Sequence, residues 1–227
     1  MNLASLFSGG KDSTFSIFKT KQNGHNIVCL VSLYPESAES HLLHHPNISW
    51  TSLQAESMKI PHLSILLENN DEQNEIEKLE ELLKKAKREF GIEGLVHGGI
   101  LSEYQKNRFE SIGKKLNLHV VSPIWHIDDR KYLAELLDSG FRFIVTSVTA
   151  AGLDDSWLGK EITTKEIQTL DSLSSKYGFH LAFEGGEAET FVIDCPLFSH
   201  PIKIVKANKI WDGYRGRFEI TEAILDK

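Results

Sequence analysis

Residues Leu3-Ala4-Ser5-Leu6-Phe7-Ser8-Gly9-Gly10-Lys11-Asp12-Ser13-Thr14 form a segment in which an apolar run gives way to glycine, serine and lysine. The first five residues are mostly apolar, which predicts a short buried strand. The run at 14–21 has an amphipathic pattern typical of a helix. The segment therefore predicts a strand, a glycine loop and the start of a helix.

The glycine loop has the backbone properties of a phosphate site. Gly9 and Gly10 can adopt positive φ angles and carry no Cβ, so successive backbone N–H groups can point into one concavity. The unpaired N–H groups at the start of a helix add a partial positive charge beside them. An ordinary strand-to-helix turn is the alternative, because glycine pairs and serine are common in turns.

The side chains of the loop suit the same ligand. Lys11 supplies a full positive charge, Ser8 and Ser13 supply hydroxyl donors, and Asp12 complements the helix dipole or helps to hold Mg²⁺. The pattern differs from Gly-x4-Gly-Lys-Ser/Thr, because two adjacent glycines precede the lysine. It resembles the pyrophosphate loop of the PP-loop ATPases. That resemblance implies a HUP-type α/β domain that cleaves ATP to AMP and pyrophosphate.

The composition is typical of a globular enzyme without membrane segments. With 227 residues, of which 41% are hydrophobic, the chain can form one large domain or two small ones. It shows no signal-peptide pattern and no apolar run that approaches the length of a membrane span. Cys29 and Cys195 match no metal-ligand spacing, and so few cysteines favour a reduced, cytoplasmic setting. The sequence leaves the oligomeric state open, with a homodimer as one option.

The charge distribution bears on the partner. A net charge of −7 argues against nucleic acid as the main partner, because phosphate contacts need a basic surface. One basic cluster stands out near the C-terminus and consists of Lys203, Lys206, Lys209, Arg215 and Arg217. It predicts either a solvated face or a docking surface for an acidic macromolecule.

Alternating apolar runs and amphipathic runs predict a parallel sheet flanked by helices. Residues 26–33 form an uninterrupted apolar run, the pattern of a strand covered on both faces. The glycine loop and the end of this second strand then face one crevice, where backbone groups of Val31 and Ser32 can reach an adenine. Further strands are predicted at 62–67, 95–100 and 119–123, with helices at 52–58, 69–90 and 102–116.

Residues 34–50 are too irregular for a helix or a strand. They contain His41, His44 and His45, but no cysteine or carboxylate completes a ligand set at metal spacing. The segment therefore favours a mobile substrate loop over a metal site.

A second glycine pair, Gly98-Gly99, also lies between a predicted strand and a predicted helix. It predicts either close packing of the helix on the strand or a second turn that faces the ligand. Tyr104, Gln105 and Arg108 put polar side chains at the start of that helix.

Residues 125–227 predict a smaller C-terminal α/β domain that binds the substrate, after an ATP-binding domain at 1–124. Helices are expected at 130–139 and 164–177, and strands at 141–148 and 190–193. A loop of small residues at 149–159 holds Trp157, which is expected to be exposed.

The segment Glu184-Gly185-Gly186-Glu187-Ala188-Glu189-Thr190 places three glutamates around a glycine pair. Repulsion among their charges favours a site beside a cation over a solvated acidic turn.

The whole chain, from residue 3 to about residue 212, resembles the diphthine–ammonia ligases, PP-loop enzymes that perform the last step of diphthamide synthesis on translation elongation factor two. The first matching motif is shared by many AMP-forming enzymes, but the set in this order is specific. The chain looks like the compact, archaeal-type form without fused C-terminal domains. The matching segments are Ser8–Ser13, Pro46-Asn47, Leu53–Glu56, Ile60-Pro61, Ser102–Gln105, Gly152–Asp154, Trp157–Gly159, Glu184–Glu187 and Glu189-Thr190.

This resemblance implies that the carboxylate of diphthine becomes an amide, with ammonium as the nitrogen donor, ATP and Mg²⁺ as cofactors, and an acyl adenylate as the intermediate. The implied ATP site comprises Ser8, Gly9, Gly10, Lys11, Asp12, Ser13, Val31, Ser32, Gly98 and Gly99, with Asp12 also at Mg²⁺. The implied substrate site comprises Tyr104, Gln105, Arg108, Trp157, Glu184, Gly185, Gly186, Glu187 and Thr190.

Four residues are expected to be catalytic: Lys11, Asp12, Glu187 and Glu189. Lys11 stabilises the charge that develops on pyrophosphate. Glu187 and Glu189 hold or deprotonate ammonium, while Tyr104 and Trp157 meet the trimethylammonium of diphthine through cation–π contacts.

Two other functions stay open. One is another AMP-forming PP-loop ligase that acts on tRNA or a small carboxylate, and the other is a nucleotide-binding sensor without catalysis. Enzymes that act on tRNA usually need a basic surface, and sulfur-transferring ones often need catalytic cysteines. A chain with a net charge of −7 and two cysteines offers neither.

Overall fold

Two β-sheets with helices packed against them organise the chain. The computed structural model describes residues 1–34, 47–67 and 71–227. Most of the predicted substrate loop, including His41, His44 and His45, lies outside the described residues, so that prediction and its metal alternative are not tested. Within the described ranges, no helix is both long enough and apolar enough to cross a membrane.

The first sheet contains five parallel strands, as the sequence predicts. They are β1 (Asn2–Leu6), β2 (Asn26–Tyr34), β3 (His62–Leu66), β4 (Gly94–Val96) and β5 (His119–Val121). Their order in the sheet is β3-β2-β1-β4-β5. Because β1 is central, its glycine loop lies at the middle of the carboxyl edge, where open α/β sheets bind their ligands.

Helices cover both faces of this sheet. They are α1 (Lys11–Gln22), α2 (Thr51–Met58), α3 (Glu72–Phe90) and α4 (Glu103–Leu116). On one face, Leu6 and Val31 pack with Leu79 of α3 and Phe109 of α4. On the other face, residues of β1 and β2 pack with residues of α1 and α2. Burial on both faces explains why β2 is an uninterrupted apolar run.

The first helix starts earlier than its amphipathic pattern predicts. Helix α1 begins at Lys11 rather than at Thr14, so Lys11, Asp12 and Ser13 form its first turn. Gly9 adopts a φ angle of +79° and Gly10 is the N-cap residue, with no side-chain cap. These glycines allow the chain to turn directly from strand to helix.

The second half of the chain forms a four-stranded antiparallel sheet. Its strands are β6 (Arg142–Val148), β7 (Ala188–Asp194), β8 (Ile202–Trp211) and β9 (Gly216–Leu225), in the order β7-β6-β9-β8. Helices α5 (Asp129–Asp138) and α6 (Thr164–Tyr177) precede β6 and β7 respectively. Helix α6 has the predicted bounds, because Thr163 and Glu166 form a capping box at its start and Gly178 ends it with a φ angle of +79°.

The hairpin of β8 and β9 was not predicted from the sequence. Register shifts next to Lys206 disturb the alternation of side chains, so the period-two signal of a strand is weak there. The basic cluster of the C-terminus lies on this hairpin, and β8 is an edge strand of the sheet. Lysines on an edge strand protect it from pairing with other chains, which fits the solvated-face interpretation.

The two halves share one hydrophobic core. Phe15 of α1 packs with Tyr132, Phe141 and Phe143 of the second half. Strand β7 also contacts the glycine loop, because the Val192 N–H donates to the Gly9 carbonyl oxygen at 3.0 Å. The second half thus forms a wall against the start of α1. The domain boundary at 124/125 stays a prediction.

Candidate functional site

A cavity of about 360 Å³ opens between the first turn of α1, the turn after β4 and the segment 183–189. This volume lies within the roughly 300–1,000 Å³ that is usual for small-molecule sites. Ten of the residues singled out in the sequence line it: Ser8, Asp12, Ser13, Gly98, Gly99, Gln105, Glu184, Gly185, Gly186 and Glu189. The fold thus brings together three segments that are far apart in sequence.

The start of α1 presents backbone donors to this cavity. The Lys11 N–H donates to Thr190 Oγ1 at 3.1 Å, but the N–H groups of Asp12 and Ser13 have no partner among the described residues. Ser8 and Ser13 are linked through their hydroxyl groups at 3.1 Å. An uncapped helix start whose N–H groups lie beside a cavity fits an anion such as a phosphate.

Lys11 lies behind the wall of the cavity. Its side chain is 2% exposed, and its Nζ donates to the Ala182 carbonyl oxygen at 2.7 Å and to both carboxylate oxygens of Asp12 at 3.0 Å. The ring centroids of Phe183 and Tyr132 are 5.6 and 6.0 Å from the ammonium. Contact between Lys11 and a phosphate stays a prediction, and the structure shows this ammonium holding Asp12.

Asp12 lines the cavity and is held from two sides. Besides Lys11, the Tyr132 hydroxyl donates to Asp12 Oδ1 at 2.7 Å. Burial, reinforced by the negative charge of Asp12, raises the pKa of Tyr132 well above its ordinary value, so Tyr132 stays a hydroxyl donor. The sequence did not single out Tyr132, because on α5 it looks like any other apolar position of an amphipathic helix.

Asp12 is a reasonable ligand for Mg²⁺ bound to a nucleotide. No group of three His, Cys, Asp or Glu residues is arranged to hold a metal in the described part of the chain. Mg²⁺ at nucleotide sites usually takes only one or two carboxylates and obtains further ligands from phosphate and water. A single aspartate beside free N–H groups is compatible with that arrangement.

The turn after β4 is closely packed and also lines the cavity, and its contact with a ligand stays a prediction. A Cβ on Gly98 would lie 2.6 Å from the Asp12 carbonyl carbon and 2.7 Å from the Ser13 nitrogen. Gly98 therefore lets the end of β4 touch the first turn of α1.

His97 fixes the same turn, and its role could not be recognised from the sequence. The Gly99 N–H donates to His97 Nδ1 at 3.1 Å, so Nε2 carries the ring proton and donates to Ser122 Oγ at 2.6 Å. Burial, with a smaller contribution from Lys106, lowers the pKa of His97 to about 4. His97 is therefore neutral at physiological pH.

Replacing Gly98 by alanine is expected to disrupt the site. The new Cβ would meet backbone atoms of Asp12 and Ser13, which must shift, and overpacking of this kind costs roughly 1–3 kcal/mol of unfolding free energy. Chemical denaturation would measure that loss, and calorimetry would measure the accompanying loss of nucleotide affinity. Gly99→Ala is the matched control, because its Cβ would meet the His97 side chain at 3.0 Å rather than backbone. Equal effects of the two variants would contradict this reasoning.

Two of the three clustered glutamates bind backbone N–H groups. Glu184 Oε1 accepts from Ile100 N and Leu101 N at 2.9 Å and from Ser102 N at 3.3 Å, just before α4. The Glu187 carboxylate accepts from His180 N and Gly185 N, both at 2.8 Å. These donors balance the two charges, so Glu184 and Glu187 fasten the segment to the rest of the site.

Phe183 lies in the same turn and adopts a φ angle of +63°. This left-handed conformation is unfavourable for a side chain with a Cβ and costs of the order of 1–3 kcal/mol. Backbone hydrogen bonds from Phe183 N to His180 O at 2.8 Å and from Gly186 N to Phe183 O at 3.2 Å hold the conformation. The turn thereby places Phe183 in the cavity wall.

Glu189 is the glutamate of this cluster whose carboxyl group has a strongly altered pKa. Loss of hydration raises the pKa of Glu189 to about 8; the charge of Lys11 opposes the shift, whereas Asp12 and Glu184 add to it. Glu189 lines the cavity and follows the glycine turn on β7. A carboxyl group that titrates near neutral pH is suited to proton transfer.

The pKa of Glu189 predicts a pH-dependent stability. Its folded pKa of about 8 exceeds its ordinary value of 4.5, so between these values the folded protein retains a proton that the unfolded chain releases. The free energy of unfolding contributed by this group therefore falls as the pH rises through that window. Glu189→Gln lacks this titration, and the difference in unfolding free energy between this variant and the parent protein should shift in favour of the variant as the pH rises. Denaturant titrations from pH 5 to 9 would measure this difference in unfolding free energy. Glu77→Gln is the control, because Glu77 is exposed and its replacement should give a difference that does not change in this way with pH.

Several predicted site residues lie outside the cavity wall. Trp157 is 5% exposed and belongs to the core of the second half, so the prediction of an exposed tryptophan is wrong. Tyr104 is 46% exposed, with the Arg108 guanidinium 5.4 Å from its ring and Glu72 paired with Arg108. Val31 and Ser32 are fully buried in β2, and the Ser32 hydroxyl donates to the Phe7 carbonyl oxygen at 2.6 Å.

Both halves of the chain match models of one protein family. Residues 1–120 match the diphthamide synthase N-terminal domain, and residues 128–225 match the diphthamide synthase C-terminal domain.

Curated relatives agree with these matches. Over 90% of the chain, it is 36% identical to a mouse protein named diphthine–ammonia ligase, of which it covers 83%. A human protein of the same name is 35% identical over 92% of the chain, with 85% of that protein covered. The fission yeast protein of this name is 34% identical over 89% of the chain, which spans 36% of that longer protein.

A solved structure described as a predicted subunit of tRNA methyltransferase from Methanocaldococcus jannaschii covers 86% of the chain at 17% identity. Its TM-score of 0.41 is too low to support a functional argument.

Proposed function

The chain belongs to the diphthine–ammonia ligase family, and we propose that it converts the carboxylate of diphthine to an amide, using ammonium and ATP. The protein that carries the diphthine is translation elongation factor two, and the reaction is cytoplasmic. The observation that carries the proposal is the cavity in which an uncapped helix start meets the carboxyl groups of Asp12 and Glu189. Anion binding and proton transfer, which are both needed for ATP-dependent amidation, are thereby available at one place.

The first half-reaction activates the acid. A carboxylate resists attack by ammonia, because an oxide is a poor leaving group, so an oxygen of diphthine attacks the α-phosphorus of ATP. An acyl adenylate forms and pyrophosphate leaves. The free N–H groups of Asp12 and Ser13 bind the departing diphosphate, and the nearby Lys11 charge stabilises it. Mg²⁺, held by Asp12, would neutralise phosphate charge.

The second half-reaction needs a base, and Glu189 is suited to that role. Ammonium transfers a proton to the Glu189 carboxylate, and the ammonia nitrogen attacks the acyl carbon. The nitrogen then releases a second proton to solvent and the bond between that carbon and the AMP oxygen breaks, so a neutral amide forms and AMP leaves as a phosphate anion. With a pKa of about 8, the ionised Glu189 carboxylate is basic enough to take a proton from ammonium, and the fraction of Glu189 in this form grows as the pH approaches 8.

Glu187 has a different part in this scheme. Its carboxylate is bound to two backbone N–H groups, so we assign it to shaping the turn at Gly185-Gly186 rather than to the proton transfer. The trimethylammonium group of diphthine needs an aromatic face. Trp157 does not line the cavity formed by the described residues, whereas Phe183, which is buried in the same core, does line it and is therefore the better candidate.

The decisive experiment is mass spectrometry of elongation factor two that carries diphthine. After incubation with this protein, ATP and ammonium, the modified peptide should show the one-unit mass loss of an acid that becomes an amide, together with one AMP per amide. Omission of ATP serves as the control. An unchanged peptide mass would overturn the proposal, and pyrophosphate release with tRNA instead would favour the alternative ligase.

The predicted homodimer needs a separate measurement. Light scattering of the purified protein alone would test it.

A further inference from the structure

The two oxygens of the Asp12 carboxylate are not equivalent. The Lys11 ammonium donates to Oδ1 and to Oδ2 at the same distance of 3.0 Å. The Tyr132 hydroxyl donates to Oδ1 at 2.7 Å. Each carboxylate oxygen offers about two lone-pair directions, so the two donors at Oδ1 leave it less available to a further ligand than Oδ2 is. Among the described residues, Oδ2 accepts from Lys11 alone and keeps one lone pair for a ligand.

Tyr132 is the residue that creates this difference. Lys11 contacts both oxygens equally and therefore cannot distinguish them. Tyr132 lies on α5, is fully buried and packs against the ring of Phe15, with ring centroids 5.4 Å apart. The shared core holds the ring of Tyr132 in place, and its single hydroxyl proton is directed at Asp12. A rigid donor of this kind fixes the rotation of the carboxylate that it contacts.

We propose that Tyr132 is a positioning residue that keeps Asp12 Oδ2 directed at a Mg²⁺–nucleotide complex in the cavity. The inference rests on the proposed function, because it takes Asp12 as the Mg²⁺ ligand. It adds a residue from the second half of the chain to the nucleotide site of the first half. Tyr132 itself does not line the cavity formed by the described residues, so it acts through Asp12.

Calorimetry with Tyr132→Phe tests this role. The variant keeps the packed ring and removes the hydroxyl group. We expect ATP affinity in Mg²⁺ to fall about 10–100-fold, as is typical when a partner of a metal ligand is removed. ATP affinity in EDTA should be unchanged. Tyr177→Phe is the matched control, because Tyr177 is a partly exposed tyrosine of α6 that lies outside the cavity wall. It should behave like the parent protein in both buffers.

A double-mutant cycle separates positioning from packing. If Tyr132 acts through Asp12, then Tyr132→Phe should cause no further loss of affinity in the Asp12→Asn background. Equal losses with and without Mg²⁺, no loss in either buffer, or an additive loss in the double variant would each overturn the inference. If the parent protein binds ATP equally well in Mg²⁺ and in EDTA, the inference about Tyr132 is overturned, but the proposed function stands. Parent protein that binds no ATP in either buffer would contradict the proposed function itself.

Discussion

Lys11→Met is expected to reduce the release of pyrophosphate from ATP by a factor of about 100–1,000, the usual cost of losing one preorganised donor to a developing anion. Methionine keeps most of the length and the apolar contacts of the lysine stem but removes the charge. Lys11 is the buried cation of the site in the described part of the chain, and its ammonium is bonded to both oxygens of Asp12. Without it, Asp12 would face an anionic substrate without the ammonium that is bonded to its carboxylate.

The loss is expected whether Lys11 stays where it is or moves to the phosphates when ATP binds. In the first case the variant releases Asp12, and in the second it removes a direct contact to the leaving group. Lys19→Met is the matched control, because Lys19 lies on the same helix and pairs with Glu135 at 2.6 Å, away from the cavity wall. Release of pyrophosphate at the parent rate by folded Lys11→Met protein would remove the first turn of α1 from the mechanism.

Sequence reasoning found the glycine loop before α1, although not the residue at which the helix begins, because the geometry of the loop is local. A phosphate-binding turn needs glycine at positive φ beside a helix start, and Gly9 with its φ angle of +79° meets that need within a few residues. The parallel order of the first sheet was predictable for a similar reason. Apolar runs that alternate with amphipathic helices can be covered on both faces only in such a sheet.

The residues that were missed depend on contacts between distant parts of the chain. Tyr132 reaches Asp12 across 120 positions, and nothing in the sequence around it distinguishes it from a core residue. Trp157 shows the opposite error, because it was predicted to be an exposed site residue and is a core residue. Its place in a loop of small residues suggested exposure, but Asp154 caps a short 3-10 turn by accepting from Ser156 N, and the indole packs into the core. The composition of the loop therefore predicted irregular backbone but not the direction of the side chain.

The three glutamates look alike in sequence and differ in the structure. Glu184 and Glu187 have backbone donors that hold their carboxylates, whereas the carboxyl group of Glu189 is poorly hydrated and lies beside Asp12 and Glu184. Desolvation depends on which elements close over a residue, and here Glu189 on β7 lies in a cavity wall formed by segments that are far apart in sequence. Spacing could therefore predict an acidic site but could not assign a role to each of its members.

Glu189→Gln is expected to lower amide formation by about 100–10,000-fold, the usual contribution of a positioned general base. Glutamine keeps the size and polarity of the side chain but cannot accept the proton of ammonium. Pyrophosphate release should persist in this variant, because acid activation uses the start of α1 instead. The activated acid would then be lost slowly to water, so AMP would form without amide. Mass spectrometry of the diphthine peptide and an assay for pyrophosphate measure the two steps separately.

Glu187→Gln provides the matched comparison, since it makes the same chemical change two residues away. Its carboxylate binds His180 N and Gly185 N, and the amide oxygen of glutamine can keep only one of these contacts well. This variant should be less stable but should retain most of its amidation at saturating ammonium, because the proton acceptor is still present. In the parent protein, amidation should rise with pH until Glu189 is ionised above a pH of about 8, and Glu187→Gln should keep that profile. A larger loss of amidation in Glu187→Gln than in Glu189→Gln would transfer the base role to Glu187 and contradict the assignment made from burial.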